Sequence, residues 1–175
     1  MKALADLNAL VILIFREKIR ACPKLIPPKF PTMQKVEHIG IAVKDLAVSI
    51  PLFERLFGSS CYKTEAVESE KVNTAFFQKG ETKIELLQGL NADSVITRFV
   101  EKKGEGIHHI AFEVADIHAE MRRLAAEGFT LLNETPKAGA DNKLVCFLHP
   151  KDTGGVLIEL CMELSTVPAK PDHSA

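Results

Sequence analysis

Val36-Glu37-His38-Ile39-Gly40-Ile41-Ala42-Val43-Lys44-Asp45-Leu46 recurs further along the chain as Ile107-His108-His109-Ile110-Ala111-Phe112-Glu113-Val114-Ala115-Asp116-Ile117. Both segments read apolar, any, His, Ile, small, apolar, any, Val, any, Asp, apolar, and His38 and His109 are 71 positions apart. A repeat at fixed offset means that one supersecondary unit is used twice. Each segment is β-rich and ends in an Asp that can cap a following helix.

The rest of each copy follows the same plan. Leu46, Ile50, Phe53 and Leu56 give a helical stripe, answered by Ile117, Met121, Leu124 and, more weakly, Ala125. Gly58 and Gly128 stand where helix ends favour glycine. Thr82-Lys83-Ile84-Glu85-Leu86 matches Val156-Leu157-Ile158-Glu159-Leu160, and a further strand precedes each: Thr74 to Gln78 and Leu144 to His149. Each copy therefore reads strand, helix, three strands. The expected fold class is α+β, two βαβββ modules, with copy one at residues 34–90 and copy two at 104–163. A capped connecting helix is expected within residues 91–103.

Bulk properties narrow the function. The chain has 175 residues, net charge −1, 46% hydrophobic and 26% charged residues. That is an ordinary globular mixture, too little basic for a nucleic-acid partner. Trp is absent and Tyr62 is the single tyrosine, so no aromatic platform for bases is indicated. Cys22, Cys61, Cys146 and Cys161 form no C-x-x-C pair. Cys146 and Cys161 lie in apolar runs and read as small buried hydrophobes, which suits a reducing cytoplasm.

Residues 1–32 differ. Ala9 to Phe15 is apolar but only about a third of the length of a membrane span. Arg16, Lys18, Arg20 and Lys24 follow the apolar run, the reverse of a secretory signal, and Asp6 and Glu17 disfavour a mitochondrial presequence. We expect an N-terminal extension outside the functional domain, either an upstream start or a short amphipathic helix, and no membrane association. Residues 164–175 read as a flexible tail.

One His and one Glu interrupt the apolar strands of each copy: His38 with Glu85, His109 with Glu159. A single strand histidine is most often structural, and a single strand glutamate most often faces solvent. Recurrence at equivalent places is what favours a site. Carboxylates on an inner strand face are costly unless paired or metal-bound. Pseudo-twofold packing of the copies would gather all four side chains as ligands for a divalent ion, with Co²⁺ the first expectation and Mn²⁺, Ni²⁺ or Zn²⁺ the alternatives. His108 competes with His109, but period-2 alternation puts it on the opposite face.

The strings HIGIAV, KIELLQ, GEGIHHIAFEV and FLHPKDTGGVLIEL resemble the methylmalonyl-CoA epimerase family of the vicinal oxygen chelate superfamily, over residues 34–163. The resemblance implies a vicinal-oxygen-chelate, glyoxalase-like half-open barrel, a methylmalonyl-CoA substrate and a homodimer. It implies that His38, His109 and Glu159 are metal ligands and that Glu85 occupies a ligand position that is Gln in some members. It further implies a catalytic acid/base near the second strand of copy one. Glu70 is the nearest acid, Glu68 the backup, and one alignment places the inert Thr74 there. Glu159 is a candidate for the second acid/base. Lys143, His149, Lys151 and Gly154 are candidates for contacts to the CoA portion, although Pro150 to Gly155 has first the composition of a turn. The implied activity is epimerisation at C2. The alternatives are a glyoxalase I-type lyase and a non-catalytic binding module on the same fold.

Overall fold

The computed structural model describes residues 33–164. The extension expected over 1–32, Cys22 and all of the tail beyond Leu164 lie outside the described residues. In chain order the elements are β1 (Met33–Ala42), α1 (Leu46–Phe57), β2 (Lys63–Val67), β3 (Val72–Lys79), β4 (Thr82–Gly89), α2 (Val95–Lys103), β5 (Gly106–Val114), α3 (Ile117–Ala126), β6 (Lys137–Ala138), β7 (Lys143–Leu148) and β8 (Leu157–Glu163). The fold is α+β, and strand–helix–three strands occurs twice.

The eight strands among the described residues form one sheet, ordered β2-β3-β4-β1-β5-β8-β7-β6. Within each module the first strand pairs in parallel with the last: β1 with β4 through Ile39↔Ile84, and β5 with β8 through Ile110↔Ile158. The modules join by antiparallel pairing of β1 with β5, where Ile39 faces Ile110. These are equivalent residues of the repeat, so the pseudo-twofold axis passes between them. Edge strands β2 and β6 are brought together by charge: Lys63 on β2 reaches Asp141 after β6 at 3.1 Å, and Lys137 on β6 reaches Glu70 after β2 at 2.6 Å. The sheet is thus curled into a half-open barrel whose edges meet through ion pairs.

The sequence sets the helices by local chemistry. The Asp45 side chain accepts from Ala47 N–H at 2.8 Å, Ser94 from Ile96 N–H at 3.2 Å and Asp116 from Ala119 N–H at 2.9 Å. Each satisfies a donor that a helix start leaves unpaired. Gly58 ends α1 with φ 61°, a conformation that disfavours a side chain. Apolar residues then alternate across the strands. One face packs on the helices: Val43, Ala75, Phe77 and Leu86 against Leu46 of α1, and Val114, Cys146, Leu148 and Leu160 against Ile117, Met121 and Leu124 of α3. One expectation is corrected. Leu56 is 69% exposed, and Phe57 packs on the α1 core in its place. Leu46, Ile50, Phe53 and Phe57 keep a single face at 100° per residue better than Leu56 does. Ala125 is exposed as well.

Candidate metal centre and cavity

The inner face of the sheet carries two rows that the register makes equivalent. One runs Phe76, Glu85, Gly40, His109, Leu157 across β3, β4, β1, β5 and β8. The other runs Lys83, His38, Ala111, Glu159, Phe147 across β4, β1, β5, β8 and β7. Each histidine thus sits opposite a small residue, Gly40 or Ala111, which leaves room for an imidazole.

His38, Glu85, His109 and Glu159 are all buried. The Nε2 atoms of His38 and His109 are 2.9 Å apart, and Glu159 Oε2 is 3.3 Å from His109 Nε2 while its Oε1 is 3.8 Å from His38 Nε2. Two nitrogens each about 2.1 Å from one ion, at about a right angle, stand about 3 Å apart. His38, His109 and Glu159 therefore fit a divalent ion, and their ligand atoms all lie within 4.8 Å of one another. Glu85 is placed differently. Its Oε1 is 3.6 Å from Nδ1 of His38, the nitrogen facing away from this convergence.

Glu37, His38 and Cys161 form a second compact group. Here the cation role is already taken, because Lys83 Nζ lies 2.7 Å and Lys143 Nζ 3.2 Å from Glu37 Oε1. Burial, followed by the charge of Glu159, also pushes the Cys161 thiol up, away from the thiolate a metal needs. Among the described residues, the His38, His109 and Glu159 group has no such ammonium partner.

Charge is distributed unevenly around the site. Burial would depress His38, but Glu85, Glu159 and Glu37 outweigh it and hold it up at about 9. His109 is held well below the usual histidine value by burial, then by His38 and His108. Burial raises Glu159 to about 7 against the pull of His38, and raises Glu85. Burial would raise Glu37, but hydrogen bonds from His38 and Lys83 bring it down to about 2. Burial, then Lys103, lowers His108 to about 4.

A cavity opens over the group. His38, Glu85, His109 and Glu159 line it together with Glu70, His108 and Lys143, and Val72, Leu87, Val145 and Phe147 supply apolar wall. Glu70 thus shares the cavity with the imidazoles, half-buried and paired with Lys137. Glu68 is exposed, and Thr74 is buried in the lining. Lys143 borders the cavity but is engaged by Glu37 and Glu163. His149, Lys151 and Gly154 do not line it; they belong to the turn between β7 and β8.

Sequence reasoning placed His108 on the face opposite His109. The structure corrects this: His108 Nδ1 lies 3.0 Å from His109 Nδ1 and borders the same cavity. Glu37 was missed altogether, as were Lys83, Asp141 and Lys137. Alternation assigns Glu37 to the face away from His38, yet its Oε2 is 2.6 Å from His38 Nδ1. Irregular β1–β5 register, invisible in one sequence, accounts for both.

Residues 37–147 match the family model of the glyoxalase/bleomycin resistance protein/dioxygenase superfamily. The chain is 41% identical over 129 residues to the uncharacterized protein YqjC of Bacillus subtilis, covering 74% of this chain and 92% of that one. It is 39% identical over 127 residues to the mitochondrial methylmalonyl-CoA epimerase of Homo sapiens, covering 72% of each. The crystal structure of methylmalonyl-CoA epimerase from Mycobacterium tuberculosis superposes with a TM-score of 0.75 at 35% identity, over 79% of this chain and 94% of that one. The chain belongs to the glyoxalase/bleomycin resistance protein/dioxygenase superfamily and, within it, to the family of the methylmalonyl-CoA epimerases.

Proposed function

We propose that this protein interconverts the two C2 epimers of methylmalonyl-CoA, using a divalent ion held by His38, His109 and Glu159. The observation that carries the reading is the convergence of both Nε2 atoms and the Glu159 carboxylate in a cavity that also holds Glu70. The human and mycobacterial relatives bear the name of this activity.

The C2 proton lies between a thioester and a carboxylate, so its removal leaves a delocalised anion. An ion at this site supplies a Lewis acid for the negative charge that develops on oxygen. Glu70 takes the proton from one face, its carboxylate held toward the cavity by Lys137. Glu159, on the strand across the site, is the second acid/base of this reading and returns a proton to the other face. The apolar wall of Val72, Leu87 and Val145 keeps water from the reacting carbon.

For the CoA portion, a second cavity lies between α2 and the β7–β8 turn, lined by Phe99, Lys103, Pro150 and Gly155, and His108 borders both cavities. The chain of CoA would leave the first cavity past His108 toward this turn, which is the place for His149, Lys151 and Gly154 in the reading. Lys143 serves at the cavity wall. A cytoplasmic location and a homodimer belong to the same proposal; Cys61, Cys146 and Cys161 are free thiols, as a reducing compartment favours. No helix among the described residues is long and apolar enough to cross a membrane.

The test is to supply pure (2R)- or (2S)-methylmalonyl-CoA and, separately, the hemithioacetal of methylglyoxal and glutathione. We expect each CoA epimer to relax to the mixture and the hemithioacetal to be left unchanged. Turnover of the hemithioacetal with no relaxation of the CoA ester would overturn the proposal.

A further inference from the structure

Three register shifts interrupt the pairing of β1 with β5, and two fall just before the candidate ligand histidines. Val36 faces Phe112 and His38 faces Ala111, so Glu37 is the extra residue on β1. Gly40 faces His109 and Ile41 faces Ile107, so His108 is the extra residue on β5. A bulge re-aims the side chain of its extra residue. Here both land on the same atom of the next residue: Glu37 Oε2 is 2.6 Å from Nδ1 of His38, and His108 Nδ1 is 3.0 Å from Nδ1 of His109. The repeat thus duplicates the device as well as the ligand, with a carboxylate in one copy and an imidazole in the other.

We propose that Glu37 and His108 are a matched pair of positioning residues, each accepting the Nδ1–H of the histidine after it and so reserving that Nε2 for the ion. The inference rests on the reading of His38, His109 and Glu159 as ligands. A ligating Nε2 carries no proton, so the proton of a neutral ring sits on Nδ1 and needs an acceptor. If His108 donated instead, the proton of neutral His109 would sit on Nε2 and close it to a metal. Each acceptor is itself held in place. Glu37 is anchored through its other oxygen by Lys83 and Lys143, at 2.7 and 3.2 Å. The ring of His108 stands edge-to-face on Phe99, with centroids 5.0 Å apart. The two copies are not equal. A carboxylate acceptor makes His38 the more electron-rich ligand, and the neutral acceptor leaves His109 the weaker one.

The experiment uses the full chain, stripped with a chelator and titrated with Co²⁺ against a competing chelator while the visible absorption bands of bound Co²⁺ are recorded. Apo melting temperatures are measured in parallel. His108→Phe keeps an aromatic ring on Phe99 and removes the acceptor, so Co²⁺ affinity should fall about 10–100-fold with shifted bands and little change in apo melting. His108→Asn places an oxygen near the lost nitrogen and should recover part of the affinity. Glu37→Gln, which retains an acceptor oxygen, should lose less affinity than Glu37→Met. If Glu37→Met does not fold, the His108 series decides the matter alone. Wild-type affinity in His108→Phe, or equal losses in His108→Phe and His108→Asn, would overturn the positioning role while leaving the metal site intact. A wild-type chain that binds no Co²⁺ would overturn both.

Discussion

Gly40 lies against the ring of His109: a Cβ at position 40 would stand 2.3 Å from Cε1 and 2.7 Å from each ring nitrogen. A methyl group there forces the ring to shift toward the cavity it lines, since flanking strands fix the backbone. Gly40 and its repeat partner Ala111 are thus different in kind. Ala111 fits against His38, whereas Gly40 is dictated by how closely His109 crosses the axis.

Gly40→Ala should therefore displace the His109 imidazole from Nε2 of His38. Loss of one ligand position lowers divalent-ion affinity by about tenfold or more, with only a modest effect on apo stability because the ring can move into the cavity. Competition titration with a fluorescent chelator reads this directly. An unchanged dissociation constant would show that His109 does not hold the ion.

Much of this site was legible from residues alone. His38, Glu85, His109 and Glu159 line one cavity, and the small residue two positions after each histidine was visible in the repeat. Alternation and offset suffice for that, because a pseudo-twofold axis maps equal sequence positions onto one inner face. What sequence could not show arises where alternation breaks. A bulge adds one residue with no compositional mark, so His108 was assigned to the wrong face and Glu37 was missed. Asp141 and Lys137 join the site only through the curl of the sheet, which brings chain-distant edge strands together. Leu56 was misjudged because two apolar residues, Leu56 and Phe57, adjoin, and only packing decides which turns inward.

Glu159 and Glu85 are predicted to differ as ligands. Both oxygens of Glu159 face the convergent Nε2 atoms, while Glu85 faces the far side of His38. Glu159→Gln should weaken Co²⁺ binding at least tenfold more than Glu85→Gln does, by the same titration. Equal losses would place Glu85 in the coordination sphere on the same footing.

Asp141 gives a pH-dependent prediction. It is held by Lys83 at 2.6 Å and Lys63 at 3.1 Å. Burial would raise its carboxyl, but these two lysines outweigh it and hold it below the usual value. A depressed folded value means that the unfolded chain takes up the proton first as pH falls. The stabilisation is therefore complete above the unfolded value of about 3.9 and is lost as pH drops through the folded value. Asp141→Asn should cost about 1–3 kcal/mol at pH 7 and progressively less toward pH 3. Asn tolerates the φ of 55° at this position, so backbone strain does not confuse the comparison. Urea denaturation at both pH values measures the gap; a gap of constant size would contradict the ion-pair origin.

Glu70 lies in the cavity but outside the ligand group. Glu70→Gln should slow exchange of the C2 hydrogen of methylmalonyl-CoA about 10²–10⁴-fold while Co²⁺ affinity stays as in wild type. Exchange at the wild-type rate would remove Glu70 from the chemistry and return attention to Glu68.

That three strands, β1, β5 and β8, deliver His38, His109 and Glu159 to one ion that supports proton exchange is the central proposal. It is tested most directly by proton NMR of methylmalonyl-CoA in D₂O, with the chain as isolated, after EDTA treatment, and after restoration of Co²⁺. We predict that the C2 signal disappears with the first sample, persists with the second and disappears again with the third. An EDTA-treated chain, free of metal by elemental analysis, that still exchanged C2 at the original rate would contradict the account.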